Sequence, residues 1–457
     1  MLNAWLETFS QRGETPAIFE NDRVLSYEDL SELIRATAEH LSKHGVGRQS
    51  VVILNGDFSA PTIAAFFALA HLRAIIIPIV TLAESKFDTA RWQCGAEFLC
   101  RTFPELTIER LGGSSQPSLY EALRRRDGSG LVLLSSGSTG TSKAILHDLD
   151  QMMGAQKVKA AKTRLSIILL LLFDHIGGIN TLISALFSGS TAIIATERSP
   201  EAVCRLIEKY RARVLPASPT FLNLILIAGL HQQCDLSSLR LITYGAEPMP
   251  EELLRRLRDA FPRARLLQTF GTSETGIAST SSESSGSTFF KIEGGNVSYR
   301  IVNGELQLKS ATQFLGYLNQ NEGALTEDGW FPTGDLVEEA GEGFIRIRGR
   351  TREVINVGGE KVLPTEVEAL LLESPMIADC MIYGEPNPLT GQVICADIVP
   401  RNPGATRSEI RKHLYEFLGG RIESFKLPGR INIVEEVARS DRLKKVGRVN
   451  HSNRVGK

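Results

Sequence analysis

Short apolar runs alternate with longer amphipathic stretches along the first 270 residues. Residues 51–54 (Val-Val-Ile-Leu) and 74–77 (Ala-Ile-Ile-Ile) are unbroken apolar runs of strand length. A continuous run marks a strand buried on both faces, as in a parallel sheet. The same rhythm recurs at 131–134, 167–172, 191–194, 213–215 and 239–243. Between such runs the pattern turns helical: Ser26 precedes Tyr27, Glu28 and Asp29, a helix start that leads through Leu33 and Ile34. Strands alternating with helices predict an α/β fold built on doubly wound sheets.

The pattern then changes twice. Residues 276–288 are rich in Ser, Thr and Gly, which predicts a mobile loop. Residues 289–348 show short alternating strands, 297–302 and 305–308 among them, which predicts a small β-barrel. Beyond Arg350 and Arg352 comes a compact α+β pattern, with helices over 362–372 and 408–418 and strands over 379–383 and 393–399. The expected domains are therefore 1–349, including the barrel-like part 289–348, and a smaller unit, 350–457. A chain of 457 residues is long enough for two or three domains.

Composition narrows the function. The hydrophobic fraction is 42% and the charged fraction 23%, ordinary for a globular protein. The net charge of -1 offers no bulk field for nucleic acid or an anionic membrane. Apolar runs such as 167–173 and 74–80 fall far short of the roughly 20 residues of a membrane span. No basic start followed by an apolar stretch opens the chain, and the six cysteines lack CxxC spacing. Reduced thiols and a cytoplasmic location are expected. The eight histidines show no metal-ligand spacing.

The chemistry concentrates in residues 135–145, Ser-Ser-Gly-Ser-Thr-Gly-Thr-Ser-Lys-Ala-Ile, which follow an apolar strand. Gly137 and Gly140 let backbone N–H groups approach phosphate oxygens. Ser135, Ser136, Ser138, Thr139 and Thr141 add hydroxyl donors, and Lys143 a mobile positive charge. The spacing is not the Walker pattern.

This loop resembles the phosphate-binding signature of the adenylate-forming superfamily, the AMP-dependent acyl- and aryl-CoA synthetases, peptide-synthetase adenylation domains and luciferases. Four more segments match in order: Tyr244 to Glu247, Thr269 to Thr275, Gly329 to Asp335, and Gly349 to Glu368. The resemblance implies a large N-terminal part and a small mobile C-terminal domain. It implies ATP, Mg²⁺ and coenzyme A as cofactors, with a small carboxylic acid as substrate. A phosphopantetheine-bearing acyl carrier protein is the alternative acceptor.

The site residues follow from that resemblance. Ser135, Ser136, Gly137, Ser138, Thr139, Gly140 and Lys143 are expected to hold the β- and γ-phosphates, with Ser142 and Ala144 replacing the usual Pro and Gly. Glu274, after Phe270, Gly271, Thr272 and Ser273, is expected to bind Mg²⁺. Asp335 is expected to accept from the ribose hydroxyls, Arg350 to contact ribose or phosphate, and Gly245, Ala246 and Glu247 to line the adenine pocket. His175 falls beside the acyl carboxylate. Asp174 opens the alternative of an amino-acid ammonium. Gly358, Gly359 and Glu360 resemble the loop used in thioester formation. In the tail, Lys444 aligns with the catalytic lysine and Lys445 is its rival. Three functions remain open: an acyl- or aryl-CoA synthetase, a stand-alone adenylation enzyme serving a carrier protein, and a non-catalytic nucleotide-binding homologue.

Overall fold

The computed structural model describes residues 4–112, 115–135, 142–157, 164–320 and 324–439. Two seven-stranded sheets form its larger part. The first runs Arg265–Gln268, Leu241–Tyr244, Val214–Ala217, Ser166–Leu169, Thr191–Ile194, Pro16–Glu20 and Arg23–Ser26, all parallel except the last pair. The second runs Gly316–Tyr317, Lys143–Asp148, Gly130–Ser135, Ile75–Ile79, Val51–Asn55, Phe98–Arg101 and Thr107–Arg110. Its centre is parallel and its margins antiparallel. The central strands Val51–Asn55 and Ile75–Ile79 are almost wholly buried, as their unbroken apolar runs require.

Helices fill the space between the sheets. Tyr27–Lys43 starts as its sequence predicts, with Ser26 and Asp29 forming a reciprocal capping box. Trp5, Phe9, Phe66, Phe67, Phe173 and Phe187 belong to one core cluster. Phe173 is fully buried, edge-on to Phe58 and Phe66 at 5.2 and 5.7 Å. It fixes the chain just before Asp174 and His175.

Two expectations change. The barrel-like part is a six-stranded antiparallel sheet in the order Thr280–Ser282, Phe290–Ile292, Ile345–Arg350, Phe331–Glu339, Glu305–Ser310, Val297–Val302. Among the described residues no pairing joins its two end strands. Residues 276–288, read as a loop, contain the strands Gly276–Ala278 and Thr280–Ser282. The serines have a structural use that composition does not reveal. Ser282 and Ser285 hydroxyls accept from the backbone N–H groups of Gln268 and Leu266, on the edge strand of the first sheet. Side-chain oxygens here do the work of a further strand.

From Ile355 onward a five-stranded sheet and two helices, Pro364–Glu373 and Arg407–Leu418, enclose their own core. Gly358 and Gly359, both at positive φ, form the two-residue turn between Ile355–Val357 and Glu360–Val362. All six cysteines are free and five are buried. Among the described residues no helix is long and apolar enough to cross a membrane.

Phe173→Ala is expected to destabilise the protein by about 3–5 kcal/mol, the range for deleting a fully buried aromatic ring. Denaturant unfolding at constant m checks this. A loss below about 1 kcal/mol would mean that Phe173 does not anchor this core.

Candidate active site

The strand ends and hairpins described above open onto one cleft of about 2080 Å³. Ser135 and Lys143 stand opposite each other, at the end of one strand and the start of the next. Residues 136–141 between them, with Ser136, Gly137, Ser138, Thr139 and Gly140, lie outside the described residues, as do Lys444 and Lys445. Both Ser135 and Lys143 line the cleft.

Glu274 sits in the turn of a β-hairpin formed by Phe270–Thr272 and Gly276–Ala278. The hairpin needs glycine at 271: a Cβ there would fall 2.3 Å from Gly276 O. Thr272 Oγ1 accepts from the N–H groups of Glu274 and Thr275, closing the turn at 3.2 and 3.1 Å. Tyr317 donates its hydroxyl to Glu274 Oε1 at 2.8 Å. Burial and the neighbouring Glu274 both raise the Tyr317 pKa, which keeps the hydroxyl protonated as a donor.

Behind the hairpin, His147 is fully buried and contacts Ser273 O through Nε2 at 2.7 Å. A carbonyl only accepts, so Nε2 carries the proton. Burial pushes the imidazole down to about 4, so His147 is neutral at physiological pH. Sequence reasoning missed Tyr317 and His147.

Asp335 lies in the strand Phe331–Glu339, directly opposite Arg350 in Ile345–Arg350. Arg350 Nε donates to Asp335 Oδ1 at 3.0 Å. Asp335 is only 3% exposed, and its second oxygen, Oδ2, is buried with no hydrogen-bond partner among the described residues. Burial raises the carboxyl's pKa and Arg350 opposes the rise. An unpaired buried acceptor beside a cleft fits a hydroxyl donor from a ligand.

Gly245, Ala246 and Glu247 follow the strand Leu241–Tyr244 into the same cleft. Gly245 leaves no room for a Cβ, which would meet Thr269 O at 2.5 Å. The Glu247 carboxylate accepts from Thr220 N and Oγ1 at 3.1 and 2.7 Å, at the start of the helix Pro219–Ile227. That side chain therefore anchors the segment whose backbone borders the cleft.

His175 caps the helix Ile176–Phe187, its Nδ1 accepting from Gly177 N at 3.4 Å, and it borders the cleft. Asp174 is buried and ion-paired with Lys86 at 2.7 Å, so its charge is already matched. Phe270, Gly271, Thr272 and Ser273 complete the wall. Arg348, Glu366 and Lys426 border the cleft too. Arg348 bonds Glu366 at 2.6 Å across the join between the third sheet and the C-terminal unit. No group of three metal-ligating side chains occurs among the described residues. Mg²⁺ commonly binds through one or two carboxylates plus substrate phosphates, and Glu274 fits that mode.

The Asp335 environment makes a pH-dependent prediction. The folded pKa is raised, so the protonated form is the one the fold favours, and ionisation costs stability as pH rises through that pKa. Asp335→Asn mimics the protonated form. Without ligand it is expected to unfold at or above the wild-type temperature at pH 7, the difference shrinking as pH falls toward the ordinary carboxylate range. Thermal unfolding across pH checks this, and an equal destabilisation at every pH would contradict it.

The chain matches the family model described as AMP-binding enzyme over residues 6–92 and 114–318. It matches the AMP-binding enzyme C-terminal domain over residues 366–444. It is 29% identical to the indoleacetate–CoA ligase of Aromatoleum aromaticum over 497 aligned positions, covering 96% of this chain and 95% of that one. A probable CoA ligase, CCL5, of Humulus lupulus is 26% identical, with 92% and 86% covered. In structure the fold is similar to the anthranilate CoA ligase AuaEII in complex with anthranoyl-AMP, with a TM-score of 0.80 at 21% identity, over 96% and 95% of the two chains. With the family model matching well over half of its length, this chain belongs to the AMP-binding enzymes, the adenylate-forming superfamily.

Proposed function

We propose that this enzyme activates a carboxylic acid in two steps and passes the acyl group to coenzyme A. The observation that carries the reading is the convergence of Lys143, Glu274 and the half-satisfied carboxylate of Asp335 on one cleft. In the first step a carboxylate oxygen of the acid attacks the α-phosphorus of ATP. The bond from that phosphorus to the bridging oxygen breaks, and pyrophosphate leaves. In the second step the thiol sulfur of coenzyme A attacks the acyl carbon, the thiol proton is lost, and AMP leaves with its electron pair.

The residues divide this work by position. Asp335 Oδ2 accepts from a ribose hydroxyl, while Arg350 holds Oδ1 and orients the carboxylate. Gly245 and Ala246 present backbone to the adenine. Lys143 and the loop before it neutralise the β- and γ-phosphates. Glu274 would hold Mg²⁺, which would supply further charge neutralisation on the phosphates. Such a step needs fixed positive charge and in-line placement more than covalent help from the protein.

His175, at a helix start on the cleft wall, faces the acid. Asp174 is already paired with Lys86, which disfavours an amino acid whose ammonium needs a free carboxylate. Lys444 on the C-terminal unit serves the first step. The exposed turn Gly358-Gly359 serves the second, after that unit rotates about Arg350–Arg352. The unbridged cysteines fit a cytoplasmic enzyme.

Incubating the chain with ATP, Mg²⁺ and a panel of aryl, alkyl and amino acids should release pyrophosphate with at least one plain carboxylic acid. Glu274→Gln should abolish that release while the fold is kept. No release with any acid would favour the non-catalytic alternative. Near-normal release by the variant would remove Glu274 from the metal site. Release that leads to a thioester with a carrier protein but not with coenzyme A would decide for the carrier reading.

Lys444→Ala should cut adenylate formation by orders of magnitude and spare thioester formation from a supplied acyl-adenylate. Lys445→Ala, made alongside, should behave as wild type. The reverse result would shift the catalytic role by one residue.

A further inference from the structure

The short strand Gly316–Tyr317 and the residues after it are not explained by the reaction as described. This strand lies at the margin of the second sheet, pairing with Lys143–Asp148, with Tyr317 opposite Ile145 and Gly316 opposite Leu146. Leu315 N and Leu318 N bond the carbonyls of Leu146 and Ala144 at 2.7 and 2.9 Å, extending the attachment. The strand is thereby fixed alongside the segment that carries Lys143.

Tyr317 reaches the charged groups of the cleft, and Asn319, two residues past the strand, reaches the backbone beside Lys143. Tyr317 donates to Glu274 Oε1 at 2.8 Å, and its ring centroid lies 4.9 Å from the ammonium of Lys143. A cation at that distance is attracted by the ring. Asn319 brackets Lys143 from the backbone side. Its Nδ2 donates to Ser142 O at 2.7 Å, and its Oδ1 accepts from Ala144 N at 3.0 Å. Both peptide neighbours of Lys143 are thus held by one amide. Nδ2 also reaches Gln93 Oε1 at 2.8 Å, which fixes the orientation of that amide.

Glu274 is gripped from the other side as well. Phe314 N bonds Glu274 O at 2.7 Å, and the Phe314 ring packs against Tyr317 at 5.0 Å. One short segment, 314–319, therefore contacts the backbone and carboxylate of Glu274, the side chain of Lys143 and the backbone on both sides of Lys143. Lys143 begins a strand and Glu274 sits in a hairpin turn far from it in the chain.

We infer that Tyr317 and Asn319 are positioning residues that set the separation of Lys143 and Glu274, so that the phosphate cation and the metal-binding carboxylate meet one ATP together. The inference rests on the reading of Lys143 and Glu274 proposed above. Tyr317 is placed to hold the carboxylate by one oxygen, leaving the other to face the cleft. The ring holds the ammonium without neutralising it, as a second carboxylate would. Asn319 fixes the backbone from which the lysine projects.

The test compares the full-length chain with Tyr317→Phe, Tyr317→Leu and Asn319→Ala. ATP binding is measured by calorimetry in Mg²⁺ and in EDTA. Pyrophosphate release with an accepted acid and thioester formation from a supplied acyl-adenylate are measured alongside. Tyr317→Phe keeps the ring under Lys143 and loses only the bond to Glu274. It should lose about ten-fold or more of the affinity that Mg²⁺ adds to ATP, the scale of a hydrogen bond to a charged group. Its ATP binding in EDTA and its thioester formation should be unchanged.

Tyr317→Leu and Asn319→Ala should weaken ATP binding in EDTA as well, because Lys143 is then unsupported. A Tyr317→Phe variant that matches wild type in Mg²⁺ overturns the inference. So does an equal loss in both half-reactions, which a merely structural role would give. If wild type binds ATP but releases no pyrophosphate with any acid, the catalytic reading fails instead, and the calorimetry still decides the positioning role.

Discussion

A carboxylate held 3% exposed, with one oxygen unpaired among the described residues, is costly, and the site is arranged around that cost at Asp335. Taking such a group out of water costs several kcal/mol unless charge and hydrogen bonds replace its hydration. Arg350, opposite it in the ladder, supplies the charge and one bond. The other oxygen is buried and keeps its full acceptor capacity, in a residue that borders the cleft. The third sheet is what makes this possible. Thr333 ties the strand before Asp335 to Leu306 O, and Gly334 N is fixed on Glu305. These bonds fix the backbone from which the carboxylate projects.

The rest of the cleft follows the same logic of groups fixed before a ligand arrives. Glu274 projects from a hairpin turn closed by Thr272 and backed by the buried His147. Lys143 begins a strand that is paired on both sides. The start of the helix Pro219–Ile227 is tied to Glu247. Preorganised charges of this kind suit a reaction whose transition state concentrates negative charge on phosphate oxygens. The C-terminal unit reaches the same cleft through Glu366 and Lys426, and its ion pair with Arg348 spans the join on which a change of orientation would act.

Much of this was legible in the chain because the signals were local. The buried parallel strands 51–54 and 74–77 declared themselves by continuous apolar runs, and Ser26 with Asp29 declared a helix start. The segments around Glu274 and Asp335, which the fold brings to one cleft, stood out through short Gly-Thr-rich motifs. What was not legible depended on distance in the chain. Tyr317 meets Glu274 across 43 residues and Asn319 meets Ser142 across 177, and nothing in either local sequence marks them. The serines of 276–288 misled for a related reason. Composition reports their flexibility in isolation, whereas Ser282 and Ser285 serve the open edge of a distant strand. Asp174 looked available for an ammonium until the fold set Lys86 beside it.

The central claim, that this cleft joins an acid's carboxylate to the α-phosphorus of ATP, is tested most directly by following oxygen. An accepted acid is labelled with ¹⁸O in both carboxyl oxygens and turned over with ATP and coenzyme A, and the products are weighed by mass spectrometry. The account predicts one ¹⁸O in the phosphate of AMP and none in pyrophosphate. Label in inorganic phosphate or pyrophosphate, or AMP without label, would contradict it.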